Sequence, residues 1–307
     1  MLALSSYRDL IHLDEPFELP VDDQRADRDL LLTALEGLPN KHYTGGSMSS
    51  HLSTDRGLLR WLEAELSLRD PGPIDPISSR AINTLLLRES GRHGRVEGAY
   101  LRRVSELFPE CDYLWAHNTA IYLGDIRQMV IDAVVNSALP DLTGCRIPLH
   151  GCLDSVIQHQ SGPWVRNDLA VIQEQLDGPA EPGETVITRG YRLPARYIVH
   201  TLVPENGGHP NVGDGAMDAP EFDQLRSCYL NTLSLVHEMG NIKSIAFPAI
   251  STGLNGFPFE LAARTALQAV DEWMRRHENE LELVVFALHS DQDLASFTRV
   301  LTTWIND

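Results

Sequence analysis

The 307-residue sequence predicts an α/β fold preceded by a helical N-terminal extension. Three observations carry that expectation. From Asp112 onward, short β-rich runs alternate with longer amphipathic ones, the βαβα rhythm of a layered α/β domain. Residues 1–111 hold helical patterns and loops instead. Three loops carrying glycines or reactive side chains follow strand-like runs, where open α/β sheets hold their ligands.

In the extension, residues 27–37 form a short amphipathic helix ended by Gly37, and residues 57–66 a second. Between them, residues 38–55 are polar and rich in Gly and Ser, a loop. Pro71, Pro73 and Pro76 then break the second helix, since a chain with so many missing N–H groups cannot continue one. Helical signals resume at 79–88 and 97–107. In the second part, residues 120–123, 133–136, 184–188, 197–201, 244–247 and 281–288 read as strands. Residues 153–174, 221–239, 260–278 and 292–305 read as helices, and 204–220 as a loop. Pro258 stands where a helix begins.

Composition narrows the function classes. A hydrophobic content of 43% with 22% charged residues is that of a soluble globular chain, long enough for one large domain or two smaller ones. Net charge is 25 − 43 = −18. Such a surface repels phosphate backbones, which argues against direct nucleic-acid binding. It leaves room for a small phosphate-bearing ligand, held locally by backbone N–H groups. Four cysteines do not make a disulfide framework. The opening Met1-Leu2-Ala3-Leu4-Ser5 lacks a basic region and a long apolar core, so no signal peptide is expected. No run approaches the roughly 18 apolar residues of a membrane span. The expectation is a cytoplasmic protein.

The densest chemistry lies in Gly144-Cys145-Arg146-Ile147-Pro148-Leu149-His150-Gly151-Cys152-Leu153-Asp154, with the spacing Cys-x4-His-x-Cys-x-Asp. Two thiolates and an imidazole suit Zn²⁺, and three protein ligands leave a tetrahedral ion one open position. Pro148 stiffens the loop, while Gly144 and Gly151 allow sharp turns. The same residues also read as a surface loop with two free thiols. Asp154 reads either as an acid that orients a water or as a helix N-cap. The acid in Leu123-Gly124-Asp125-Ile126 is either an N-cap or an acceptor for an exocyclic amine such as that of adenine. The third loop, Ser251-Thr252-Gly253-Leu254-Asn255-Gly256, joins a strand to a helix, as a backbone cradle for a pyrophosphate would. Cys111 and Cys228 are expected to be buried, His200 a satisfied core residue, and Trp115, Trp164 and Trp273 packing residues.

Taken together, Gly124-Asp125-Ile126, Asp132 to Asn136, Ile198-Val199-His200-Thr201 and Ala249 to Pro258 resemble the ordered signatures of macrodomains, which bind ADP-ribose. The Cys145 to Cys152 insertion is similar to that of the zinc-containing branch of protein-ADP-ribose hydrolases. The resemblance covers about residues 112–307 well, and the helical extension more loosely. It implies a three-layer α/β/α sandwich with a mixed central sheet, with residues 1–111 as extension and 112–307 as the ADP-ribose-binding unit. It implies a zinc-dependent hydrolase removing mono-ADP-ribose from modified protein side chains, with Asp/Glu esters as substrates, or else a reader of ADP-ribose with a structural zinc. One zinc would sit on Cys145, His150 and Cys152. Asp125 and the Ile126 N–H would read adenine, and Ser251, Thr252, Gly253, Leu254, Asn255 and Gly256 would cradle the diphosphate. Phe257 would pack on a sugar, and Asn136 and Asp154 would serve catalysis near the distal ribose. The chain departs from the family where Leu139 replaces an amide, where Gln158 follows Ile157 in place of histidine, and at Val203.

Overall fold

A computed structural model describes residues 2–18, 23–38, 54–178, 180–205, 217, 219–278 and 280–304. The loops expected at 38–55 and 204–220 lie largely outside the described residues.

Among the described residues, the main helices of the extension are α1 (Asp27–Glu36), α2 (Asp55–Leu68) and α3 (Pro76–His93). Local chemistry sets their starts. The Thr54 hydroxyl accepts from the Gly57 N–H at 3.1 Å, and Asp75 accepts from Ile77 and Ser78 N–H at 3.0 Å each, with Pro76 in the first turn of α3. Their apolar faces close on a cluster of their own that includes Leu30, Leu58, Leu62 and Ile82. Each such fully buried leucine is worth roughly 2–5 kcal/mol against alanine. The single helix expected at 97–107 is absent. Val96–Glu97 (β1) pairs in parallel with Met129–Val130 (β3), and Arg103 bridges Ala120 across the chain. Those backbone pairings confine the helix to α4 (Val104–Leu107).

Among the described residues the central sheet has six strands. Their order is β2 (Thr119–Leu123), β8 (Leu283–Leu288), β7 (Ser244–Pro248), β4 (Ala133–Ala138), β6 (Tyr197–Leu202) and β5 (Thr185–Arg189). The first five run parallel, and β5 pairs antiparallel with β6, so the sheet is mixed. Every residue of β6 and β8 is buried, as expected of Val- and Ile-rich parallel strands covered by helices on both faces. Those helices are α5 (Leu153–Ser161), α6 (Trp164–Gln173), α7 (Pro220–Met239), α8 (Phe259–Arg276) and α9 (Asp291–Thr302). The helix expected over 153–174 is therefore two. Gly162 at φ 95° followed by Pro163 separates them, and a side chain at Gly162 would overlap the Trp164 ring. Residues 2–18 pack with the sheet rather than with α1–α3, burying Leu4, Tyr7, Ile11 and Leu13 in the α/β core. The Tyr7 hydroxyl accepts from the Ile187 N–H at 3.1 Å, covering part of the β5 edge. No helix among the described residues is long and apolar enough to cross a membrane.

Parallel pairing has one consequence for function. Because β2, β7 and β4 point the same way, the loops after Leu123, Pro248 and Ala138 leave the same edge of the sheet. α2 and α3 pack against α5, which starts directly after one of those loops.

Candidate functional site

The loop between β4 and α5 folds back on itself through left-handed residues at Leu142 (φ 53°), Gly144 (φ 79°) and Leu149 (φ 59°). A Cβ at Gly144 would lie 2.0 Å from Gln158 Nε2, so both conformation and space require glycine there. Gly151 does not share that role. It is outside the left-handed region with open space around it, and Leu149 makes the turn instead.

The turns gather the two thiols and the imidazole. Cys145 Sγ, a His150 ring nitrogen and Cys152 Sγ all lie within 4.8 Å of one another, and Cys145 Sγ is 3.3 Å from His150 Nδ1. Donors on a tetrahedral zinc with bonds of ~2.0–2.3 Å stand roughly 3.5–3.8 Å apart, close to this set. Cys152 caps α5, its sulfur accepting from the Ser155 N–H at 3.4 Å, and a helix N-terminus favours a thiolate. Burial works against that charge, and with the nearby Cys145 it pushes the Cys152 thiol up to about 11. A divalent cation is the partner that lets two close thiols ionise together. The donor set fits zinc.

Asp154 stands at the centre of a buried network. Its Oδ1 accepts from Asn136 Nδ2 at 2.6 Å and from Gln158 Nε2 at 3.0 Å, and its Oδ2 accepts from the Cys145 N–H at 2.5 Å. Strand β4, helix α5 and the Cys/His loop therefore meet on one carboxyl, which is 4% exposed. Burial raises its pKa while these three donors oppose the shift. The N-cap alternative for Asp154 is corrected, since Cys152 holds that position. Asn136 also reaches His200 Nδ1 at 3.2 Å, and His200 Nε2 lies 2.9 Å from Thr188 Oγ1. Burial pulls His200 down to about 3, so the neutral ring accepts at Nδ1 and donates at Nε2, a satisfied core residue as expected. The Asn136 Oδ1 is buried with no partner among the described residues. Gln158 is the residue that sequence reading passed over as a departure. Its signal was the i,i+4 spacing to Asp154 on one helix face.

The other two loops form the remaining rim. Asp125 caps a short 3₁₀ turn by accepting from the Arg127 N–H at 2.9 Å, so its N-cap reading holds. Burial would raise its pKa, but the Arg127 guanidinium, bound to both oxygens, outweighs burial and holds it low. After β7, Ser251 adopts φ 61° and hydrogen-bonds through Oγ to the Pro204 carbonyl at 3.1 Å, as Asn255 Nδ2 does at 2.9 Å. Those bonds set the loop's shape. Among the described residues, the N–H groups of Gly253, Leu254 and Asn255 donate to no backbone carbonyl. Phe257, expected beside a sugar, is 3% exposed and packs in a T-shaped pair with Phe222, ring centroids 5.1 Å apart. Cys228 is buried as expected, whereas Cys111 is only half-buried, its thiol donating to the Leu301 carbonyl at 3.2 Å.

Residues 135–266 match the Macro domain family. The bovine ADP-ribose glycohydrolase MACROD1 is 35% identical over 174 residues, which are 57% of this chain and 48% of that protein. A protein-ADP-ribose hydrolase of Staphylococcus aureus is 37% identical over 177 residues, 58% of this chain and 64% of its own length. The chain thus spans between about half and two thirds of these curated relatives. Among solved structures, an Oceanobacillus iheyensis macrodomain with ADP aligns with TM-score 0.51 at 33% identity, over 60% of this chain and 89% of that one. A Trypanosoma brucei macrodomain in complex with ADP aligns with TM-score 0.55 at 25% identity, over 83% and 97%. With the sheet order, the convergent loops and these matches in hand, the chain belongs to the macrodomain family.

Proposed function

We propose that this chain is a hydrolase of the zinc-containing macrodomain branch that releases ADP-ribose from mono-ADP-ribosylated protein side chains, with Asp and Glu esters as the substrate class. In this reading residues 112–307 bind the nucleotide and the preceding helices support them. The observation that carries it is the three-donor set of Cys145, His150 and Cys152 at the same sheet edge as the Ser251–Gly256 loop. The hydrolase names of the relatives and the ADP in the O. iheyensis and T. brucei structures support it.

Each rim group has a task. The Asp125 carboxylate accepts from the adenine amine, beside the Ile126 N–H. The N–H groups of Gly253, Leu254 and Asn255 hold the diphosphate, which suits an acidic protein that has no need of a basic patch. The unpaired Asn136 Oδ1 accepts from a distal ribose hydroxyl, removing the cost of a buried orphan acceptor. Cys145, His150 and Cys152 would hold a zinc ion, which would supply Lewis acidity for ester cleavage. Asp154 fixes the Cys145 backbone and so the position of the ligand set.

The second reading is an ADP-ribose reader with a structural zinc. The enclosure of Asp154 favours it, because a carboxyl 4% exposed and held by three donors has little room to reach a substrate water. The test is release of ADP-ribose from a mono-ADP-ribosylated carboxylate peptide, with and without a zinc chelator, by wild type and Cys152→Ser. Release abolished by either treatment supports the hydrolase. Tight ADP-ribose binding with no release in any arm overturns it in favour of the reader.

A further inference from the structure

The underside of the Cys/His loop is formed by the helical extension, and one arginine joins the two. Arg166 on α6 is 6% exposed. Its Nη1 donates to the carbonyls of Leu66, Ser67 and Arg69 at 2.8, 2.9 and 3.0 Å. Those carbonyls end α2, where unsatisfied acceptors and the negative pole of the helix favour a cation. Its Nε is buried with no partner among the described residues. Arg166 shares a cavity of about 20 Å³ with Cys145 and Gln158, room for roughly one water. Gln158 brings an unpaired Oε1 to the same space. Two further contacts bring extension and site together. Arg146, next to Cys145, pairs with Asp70 at 2.8 Å, and His159 lies 3.6 Å from Glu63.

Charge makes Arg166 more than a strut. Cys145 and Cys152 as thiolates, with Asp154, bring three negative charges to one buried region. A divalent ion offsets two. Two buried arginines line this cavity, and their hydrogen-bond partners differ. Arg69 donates to Asn167 and the Gly72 carbonyl, and its neighbouring charge is Asp70. Burial and the neighbouring Arg146 and Arg69 disfavour the Arg166 charge, while Asp154 and Cys145, which lies on the same cavity, favour it. We propose that Arg166 is a positioning residue of the metal site, tying the extension to the Cys/His loop and offsetting the negative charge that a bound divalent ion leaves there. This rests on the metal reading above.

The test uses the full chain and Arg166→Met, Arg166→Lys and Arg166→Gln variants. Zinc affinity is measured by competition with a chromophoric chelator, and ADP-ribose affinity by calorimetry. Arg166→Met is expected to weaken zinc about 10–100-fold, as loss of a group supporting metal ligands does, with ADP-ribose affinity kept within about threefold. Lysine keeps the charge and three donors, and holds zinc within about threefold of wild type. If the methionine variant does not fold, lysine against glutamine decides the same question. Equal zinc affinity in wild type and a neutral variant overturns the proposal, as does equal loss in the lysine and neutral variants, or parallel loss of ADP-ribose binding. A wild-type chain that binds ADP-ribose but no zinc overturns the metal reading itself, and this inference with it.

Discussion

Asp154→Asn separates a positioning acid from a catalytic one. Asparagine keeps the shape but offers one acceptor oxygen in place of two. With that oxygen at the Oδ1 position, the bonds from Asn136 and Gln158 survive without their ionic component. The new amide then faces the Cys145 N–H, donor against donor, where Oδ2 accepted at 2.5 Å. Turning the amide over only moves the clash to Asn136 and Gln158. A buried donor left unpaired costs about 1–3 kcal/mol, and loss of charge assistance adds about 1 kcal/mol. The expected destabilisation is about 3 kcal/mol, a fall of roughly 5 °C in Tm for a chain of this size. Under the zinc reading proposed above, metal retention should fall with it, because the misplaced N–H belongs to Cys145 of the proposed donor set. The assays are thermal unfolding and metal content of the purified chain. A variant with wild-type Tm and full zinc but no turnover would refute the argument and restore Asp154 as the acid–base group.

Three further outcomes follow from the same geometry. Asp125→Ala should weaken ADP-ribose binding about 10–100-fold by calorimetry, the worth of one hydrogen bond to a charged acceptor, and unchanged affinity would remove Asp125 from the adenine site. Gly253→Val should leave stability unaltered, since a Cβ there meets nothing within 4 Å, yet weaken ADP-ribose at least about tenfold by filling the cradle. Gly256→Val, at φ 73°, should instead lose about 1–2 kcal/mol of stability, so a pair of variants with matching unfolding curves would contradict this reading. Burial, with the charge of Glu89 added and Arg60 and Arg127 opposing, pushes Glu63 up to about 7. A carboxyl whose pKa rises on folding holds its proton longer in the folded state, so its contribution to stability falls as pH climbs from the ordinary carboxyl range through about 7. Glu63→Gln should therefore gain on wild type in denaturant midpoint between pH 4.5 and pH 8; a difference independent of pH would sink the idea.

Much of the molecule could be read from local pattern. The strands at 120–123, 133–136, 197–201 and 244–247 each appear within one or two residues of their expected ends, because buried parallel strands are continuous apolar runs. The grouping of Cys145, His150 and Cys152 was legible for a similar reason, as the three side chains lie within eight residues and the loop has little choice but to gather them. What pattern misjudged were backbones decided by distant partners. The helix expected at 97–107 gives way to pairing with Met129 and Val130, and the helix expected at 153–174 breaks where Gly162 must pass under Trp164. Gly151 carries no sharp turn because Leu149 does, a choice made by the packing of the whole loop.

Sequence by itself determined which chemistry is present: two thiols and an imidazole in one loop, a glycine-containing turn after a strand, an acid after another, and a net charge that leaves phosphate to the backbone. Periodicity and spacing are properties of neighbouring residues, so neighbouring residues reveal them. Only the tertiary structure decided what each group is free to do. It buried Phe257 in the core, gave Arg127 to Asp125, set Gln158 beneath Gly144, and spent the Asp154 carboxyl on three donors from three elements. Availability depends on contacts across long stretches of chain, and such contacts exist only once the sheet has brought β4, α5 and the Cys/His loop together.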